Sequence, residues 1–203
     1  MLVATINCYN DMPLIKDCIE SIYDKVGRII AVDGSYDDFP DGWGSSTDGT
    51  LEYLESLDNK VDIIVTFGLS EVEKRNKYLM QLSDGDIVLN LDADEVLMGS
   101  IPPLNSDFGI VDLQDGHSKH IQKRATRFFH YRDGMRYNYV HYTLYYQDKI
   151  INKLKEIINK DFTFEDVKTF NIIHNWHFRT DLRKYNKQIY YRKLVKKEAR
   201  FVK

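Results

Sequence analysis

The chain has 203 residues, 43% hydrophobic and 29% charged, a composition that excludes a disordered or fibrous protein. This length suits one domain with its own core. No run approaches the ~18 apolar residues of a membrane span, and the residues after Met1 lack the basic region of a signal peptide. Cys8 and Cys18 are too few for a disulfide framework or a zinc ribbon, so we expect a cytoplasmic protein.

Charge is distributed unevenly along the chain. Residues 182–203 contain nine Lys or Arg residues and one acid, a net charge of +8, whereas the other 181 residues carry −11. A basic segment beside an acidic body predicts an anionic partner for that segment. A solvated basic surface helix explains the charge equally well. No recognition module for nucleic acid accompanies the basic residues, so nucleic acid is not expected as a partner.

Strand and helix patterns alternate through the first half of the chain. Short apolar runs predict strands at Leu2–Ile6, Arg28–Val32, Val61–Val65 and Asp86–Leu91. Helical spacing of apolar residues predicts helices from Pro13 onward, at Thr50–Leu57 and at Glu71–Leu82. This alternation predicts right-handed crossovers and a parallel sheet.

The second half has a different, β-rich pattern. Strands are predicted at Phe108–Leu113, Lys123–Tyr131, Val140–Gln147 and Lys168–His174, and a polar helix or loop at Lys149–Asn159. From Thr180 onward we expect an amphipathic helix that packs through Leu182, Tyr185 and Ile189. With a break at Pro102-Pro103, the predicted organisation is one domain: a nucleotide-binding half (1–99), a smaller mixed half (100–179) and a basic helix (180–203).

The sharpest motif is the acidic segment Leu91-Asp92-Ala93-Asp94-Glu95 at the end of the fourth predicted strand. Alternation along an extended backbone places Asp92 and Asp94 on the same side. Open α/β sheets bind ligands at this carboxyl edge, and hard oxygen ligands suit Mg²⁺ or Mn²⁺ shared with phosphates. An isolated Asp-x-Asp is more often a solvated acidic turn. A calcium loop is excluded because Leu97 stands where such a loop needs Gly.

Two further groups of polar residues lie next to the predicted strands of the first half. Asp33-Gly34 follows the second strand, where an Asp suits hydrogen bonds to a base or ribose and Gly permits close approach of the backbone. A simple turn explains the same residues. Lys74-Arg75-Asn76 lies on the helix before the acidic strand, where an exposed polar face and contact with a diphosphate both remain open.

Taken in chain order, six segments resemble glycosyltransferase family 2 of the GT-A fold: NCYN (7–10), VDGS (32–35), STDGT (46–50), RN (75–76), GD (85–86) and LDADE (91–95). The resemblance covers residues 2–97. It implies a Rossmann-like, mainly parallel central sheet flanked by helices. It also implies that Tyr9 and Asp33 hold the nucleobase, that Arg75 lies near the nucleotide, and that Asp92 and Asp94 bind Mn²⁺ or Mg²⁺.

The chain departs from the family pattern at several positions. Asn7-Cys8 replaces the usual Pro-Thr, and a single Asp precedes Gly34. Residues 36–45 form an insertion with Phe39 and Trp43, which we interpret as a lid or as an aromatic-anchored loop.

In the second half, Val140-His141-Tyr142 is similar to a Val-His-Glu element, with Tyr142 in place of the Glu. The resemblance further implies that a late histidine, His174 or His177, completes the metal shell. Two histidines at this spacing also suit zinc, but the sequence places no third ligand for it.

The resemblance implies metal-dependent transfer of a sugar, with inversion, from a nucleoside-diphosphate sugar (a UDP-sugar by default) to a hydroxyl of a glycan, lipid-linked or protein acceptor. His141, Asp112 and Asp115 are the candidate bases for the acceptor proton, with His141 or Asp112 favoured. Lipid-linked acceptors make a peripheral contact of residues 192–203 with the inner membrane face plausible.

Two other classes of protein stay open. A nucleotidyltransferase also places paired Asp residues at a sheet edge, but it would normally carry a Gly-rich phosphate loop, which NCYNDMP does not offer. A non-catalytic sugar-nucleotide or glycan-binding module is favoured by Tyr142 and by the short second half.

Overall fold

The computed structural model describes residues 1–37, 39–40, 42, 44–139, 143–151 and 162–201. In chain order the elements are β1 (Leu2–Cys8), α1 (Leu14–Ile22), β2 (Arg28–Asp33), α2 (Thr50–Glu55), β3 (Val61–Val65), α3 (Glu71–Leu79), β4 (Ile87–Asp92), β5 (Glu95–Gly99), β6 (Phe108–Asp115), β7 (Ile121–His130), β8 (Arg136–Tyr139), β9 (Thr143–Tyr146), β10 (Lys149–Ile150), β11 (Phe164–His174) and α4 (Asp181–Phe201). A short 3₁₀ turn, Trp176–Phe178, precedes α4.

The strand and helix order predicted for the first half is confirmed. In α1 the apolar residues at helical spacing are all buried: Leu14, Ile15, Cys18, Ile19 and Ile22. A capping box begins α3, because Ser70 Oγ accepts a hydrogen bond from the backbone N–H of Glu73 while the Glu73 carboxylate accepts one from the N–H of Ser70. This cap fixes where α3 starts and so where its charged residues lie.

Eight strands form one mixed sheet in the order β3-β2-β1-β4-β7-β6-β11-β5. Its first four strands run parallel to their neighbours. Chain order reverses between β1 and β4, and open α/β sheets bind ligands beyond the strand ends at such a reversal. The register pairs Asn7 with Asp92 and Cys8 with Asp33. The polar ends of β1, β2 and β4 therefore meet at one edge.

The β-rich second half continues the same sheet. Strand β7 pairs antiparallel with β4 and with β6, and β11 runs parallel to β6. Strand β5, which the sequence did not predict, pairs antiparallel with β11 directly after the acidic segment. A second, three-stranded sheet has the order β10-β9-β8. Of the polar segment predicted at 149–159, the first two residues form β10, and residues 152–161 lie outside the described residues.

Hydrophobic residues pack on both faces of the large sheet. Alternation along β1 sends Ala4 and Ile6 into a cluster with the α1 residues, while Val3 enters a second cluster with Tyr78 and Leu79 of α3. Strands buried on both faces read as continuous apolar runs, which explains why the first-half strands were recognisable.

Helix α4 packs against the body through Arg183, Asn186 and Tyr190, which are buried, whereas Leu182 and Tyr185 are 66% and 61% exposed. The prediction that Leu182 and Tyr185 pack inward is therefore wrong, because the side of α4 that carries Arg183 and Tyr190 meets the aromatic ring of Phe39 instead. Among the described helices, none has the length and apolar character that crossing a membrane requires.

Candidate active site

A cavity of about 570 Å³ lies beside the acidic segment, between the sheet edge and α4. Its charged lining combines acids from the body of the protein with bases from β7 and the C-terminal segment: Glu71, Asp92, Glu95, Asp115, Arg127, Arg179, Lys184 and Lys187. The cavity thus brings charges of both signs to the edge where β4, β6 and β11 end.

Asp92 lies at the centre of this lining and contacts two arginines. Arg75 Nη2 lies 3.0 Å from Asp92 Oδ1, and Arg127 Nη2 lies 3.3 Å from Asp92 Oδ2. Arg75 also pairs with Glu71 at 3.0 Å and is only 2% exposed. The interpretation of Lys74 and Arg75 as an exposed polar face is wrong, because both are buried. Arg75 acts on the cavity through the carboxylates that it positions.

Glu95, the last residue of the acidic segment, is fully buried yet borders the cavity. One carboxylate oxygen lies 2.5 Å from Arg127 Nη2, and the other accepts a hydrogen bond from the backbone N–H of Asp92 at 2.8 Å. Burial raises the pKa of Glu95 to about 7, although Arg127 opposes the shift. Glu95 therefore changes its charge near neutral pH, which is the property of an effective proton acceptor.

Asp94 is not among the residues that line the cavity, and it is held by residues late in the chain. Its Oδ2 lies 2.9 Å from Arg179 Nε and 3.3 Å from His174 Nε2. Burial opposes its ionisation, but the Arg179 guanidinium keeps the pKa of Asp94 below its usual range. Burial likewise opposes the charged form of His174, while Asp94 raises the pKa of that imidazole above its ordinary value. Arg179 also reaches Asp11 at 3.1 Å.

The stability of the protein should fall with rising pH because of Glu95. Its pKa is about 7 in the folded state and 4.5 ordinarily, so its contribution is complete below pH 4.5 and is lost as pH rises through 7. The shift corresponds to on the order of 3 kcal/mol in the free energy of unfolding. Urea unfolding of Glu95→Gln at several pH values should lack this slope.

Glu20→Gln, an exposed acid-to-amide change on α1, is the matched control and should retain the wild-type slope. An unchanged slope in Glu95→Gln would contradict the assignment. The raised pKa of His174 adds a further loss of stability, which begins only above pH 6.5. The Glu95→Gln variant should retain this second loss.

Asp33, predicted to hold the nucleobase, is buried and shapes the loop after β2. Its carboxylate accepts hydrogen bonds from the backbone N–H of Ser46 at 2.9 Å and from the Ser46 hydroxyl. The next residue must be glycine, because Gly34 has a φ of 125° and an added Cβ would lie 1.5 Å from the carbonyl oxygen of Thr66. A contact of Asp33 with a base stays a prediction.

Tyr9, the other predicted base contact, belongs to a buried aromatic cluster with Tyr36, Phe39 and Tyr190. Tyr190 of α4 stacks on Tyr36 with ring centroids 5.0 Å apart and planes 19° apart. The Arg183 guanidinium lies 4.6 Å from the centre of the Phe39 ring. Phe39 therefore anchors the 36–45 insertion, while Trp43 lies outside the described residues.

The predicted general bases lie in different places. Asp112 pairs with Lys123 at 2.5 Å and is not among the described residues that line the cavity. Asp115 does line it, but hydrogen bonds from Ser118 and Trp176 lower its pKa. His141, like Tyr142, lies outside the described residues.

Of the two late histidines, His174 borders the cavity, whereas His177 packs against Phe178 with ring centroids 4.1 Å apart. The two histidines therefore lie in different environments despite their close spacing in the sequence.

The acidic side chains do not form a metal site as arranged. In the part of the chain that the structure describes, no group of three or more His, Cys, Asp or Glu side chains is placed to hold a metal ion. Divalent cations need several converging oxygen ligands, but guanidinium groups contact both oxygens of Asp92 and one of Asp94. Mn²⁺ or Mg²⁺ does not fit this arrangement, and metal dependence stays a prediction.

Arg127, Arg179 and Lys187 are among the cavity residues that the sequence analysis missed. Arg127 follows Lys123 and Arg124 in the same strand, so its sequence does not distinguish it from an exposed basic residue. No sequence pattern marks Arg179 or Lys187 as part of the site either, because basic residues near the start of a helix ordinarily face water.

Comparison with known proteins gives only a distant likeness. No family model and no curated protein matches the chain. It is similar to the crystal structure of S. aureus TarS 1-349, with a TM-score of 0.47, 20% identity, and coverage of 63% of this chain and 40% of that one. A second S. aureus TarS structure gives a TM-score of 0.43 and 22% identity over 60% of this chain and 23% of that one. The chain thus spans less than half the length of these structures.

Proposed function

We propose that this protein is a glycosyltransferase of the GT-A type, which transfers a sugar from a nucleoside-diphosphate sugar to an acceptor hydroxyl. One observation carries the proposal: the charged cavity lies at the carboxyl edge of the large sheet, where β4, β6 and β11 end, with Asp92, Asp115 and His174 in its lining. Three of the segments that resemble family 2, NCYN, VDGS and LDADE, contain the ends of β1, β2 and β4 at that same edge. A UDP-sugar is the default donor under this proposal.

Glu95 is the described carboxylate that best suits the proton transfer. The acceptor oxygen attacks the anomeric carbon, the bond from that carbon to the diphosphate oxygen breaks, and its electron pair leaves on the nucleoside diphosphate. The acceptor proton passes to a base, and an acid of pKa near 7 at the cavity wall accepts it effectively. Asp112 is paired with Lys123, so Glu95 takes the role proposed for Asp112, and the role of His141 stays a prediction. Attack opposite the leaving group gives inversion.

A turnover assay with a panel of sugar nucleotides tests the proposal. We expect release of nucleoside diphosphate, and Glu95→Gln should lower kcat about 100-fold or more, because general-base catalysis contributes at least that factor. Glu20→Gln should behave as the wild type. Release of pyrophosphate would instead indicate a nucleotidyltransferase, and binding without turnover would indicate a binding module.

The acceptor side of the proposal rests on the exposed residues near α4. Four large side chains around its start are exposed: Trp176, Phe178, Leu182 and Tyr185. Apolar groups beside a basic helix suit a lipid-linked acceptor at an anionic surface. The membrane contact of residues 192–203 stays a prediction.

A further inference from the structure

Basic side chains outnumber acids on the α4 side of the cavity. Arg179, Lys184 and Lys187 line it from the C-terminal segment, and Arg127 lines it from β7. Both the sheet edge and α4 therefore present cations to the same space.

Arg179 has donor capacity that the protein does not use. Its side chain is 5% exposed, and its Nε and Nη2 face Asp94 and Asp11. Its Nη1 is buried with no hydrogen-bond partner among the described residues. Guanidinium groups offer five N–H donors in a planar fork that matches phosphate oxygens. A phosphate in the cavity would give this buried nitrogen a partner.

Lys187 faces the same space one or two turns along α4. Burial lowers the pKa of Lys187, and Arg179 lowers it further. The second of these effects is the electrostatic repulsion between the two cations. An anion between Lys187 and Arg179 would relieve this repulsion.

We propose that Arg179 and Lys187 hold the donor diphosphate and replace the divalent cation that the acidic motif suggests. This inference rests on the proposed glycosyltransferase function. Asp94 then serves to position Arg179, with which it pairs at 2.9 Å. Negative charge gathers on the diphosphate as the bond to the sugar breaks, and fixed cations at that point stabilise the leaving group.

Binding of UDP, GDP and inorganic pyrophosphate in EDTA, measured by isothermal titration calorimetry, tests the inference. We expect binding without added metal, weakened by salt, and we expect Lys187→Gln to weaken it about tenfold or more, since hydrogen bonds to charged groups are among the stronger ones. Arg192→Gln removes the same charge from an exposed position of α4 and should leave the affinity unchanged. Arg179→Lys keeps the charge beside Asp94 but loses the fork, and it should also weaken pyrophosphate binding.

Two results would overturn the inference, and they are distinguishable. Diphosphate binding that requires Mn²⁺ and is unaffected in folded Lys187→Gln would overturn the role of the basic residues and leave the glycosyltransferase proposal standing. Failure of every nucleoside diphosphate to bind, with or without Mn²⁺, would overturn both.

Discussion

Replacing Asp94 with Asn should destabilise the protein by about 3 kcal/mol, because breaking a buried ion pair leaves an uncompensated charge. From the sequence alone, the same substitution would be expected to relieve repulsion between neighbouring carboxylates and so to stabilise the protein. The structure decides between them, since Asp94 is fully buried and faces Arg179 and His174. Asp11 remains beside Arg179 and keeps the loss at the lower end of the usual range.

Urea unfolding monitored by circular dichroism measures this effect. Asp181→Asn is the matched control, because that side chain is fully exposed and should change the stability by less than ~0.5 kcal/mol. Pairing Asp94→Asn with Arg179→Gln completes a double-mutant cycle, in which the loss in the double variant should be smaller than the sum of the single losses. Equal stability of Asp94→Asn and the wild type would show that Arg179 needs no buried partner.

Replacing Tyr190 with Ala should cost about 3 kcal/mol, as expected when a large buried aromatic side chain is removed. The ring is 2% exposed and packs against Tyr36 and Phe39, and its hydroxyl accepts a hydrogen bond from the backbone N–H of Glu71 at 3.1 Å. The change should also loosen α4 over the cavity and weaken diphosphate binding.

Tyr185→Ala removes the same side chain from the exposed side of the same helix. Comparing the two variants therefore separates the effect of burial on stability from the effect of helix propensity. We expect its denaturation midpoint to stay close to that of the wild type. If the two variants lost the same stability, α4 would not be attached through its aromatic residues.

The parts of the fold that the sequence revealed are those in which local pattern and burial agree. Strands β1, β2 and β4 are largely buried, so their apolar runs are visible without any partner. Strand β5 was not predicted, because its first residue, Glu95, looks like part of a polar turn. The inward side of α4 was misjudged because two of its buried residues, Arg183 and Asn186, are polar and an apolar pattern does not mark them.

The site was only partly predictable for a different reason. The acidic segment could be located because its carboxylates are adjacent in sequence, and their place at a strand end indicates a ligand-binding edge. Their partners, Arg127 and Arg179, are more than 30 residues away and sit on elements whose pairing no local pattern specifies. Because the partners decide the charge of the site, the acidic motif alone favoured a metal.

The position of Arg179 so late in the chain has a consequence during synthesis. Asp94 leaves the ribosome 85 residues before Arg179, which at ~5–20 residues per second is a delay of about 4–17 seconds. Throughout that interval the carboxylates of the growing chain have no guanidinium from the C-terminal segment to neutralise them. These carboxylates must therefore stay hydrated in the nascent chain. Their burial becomes favourable only when Arg179 has been synthesised and can pair with Asp94.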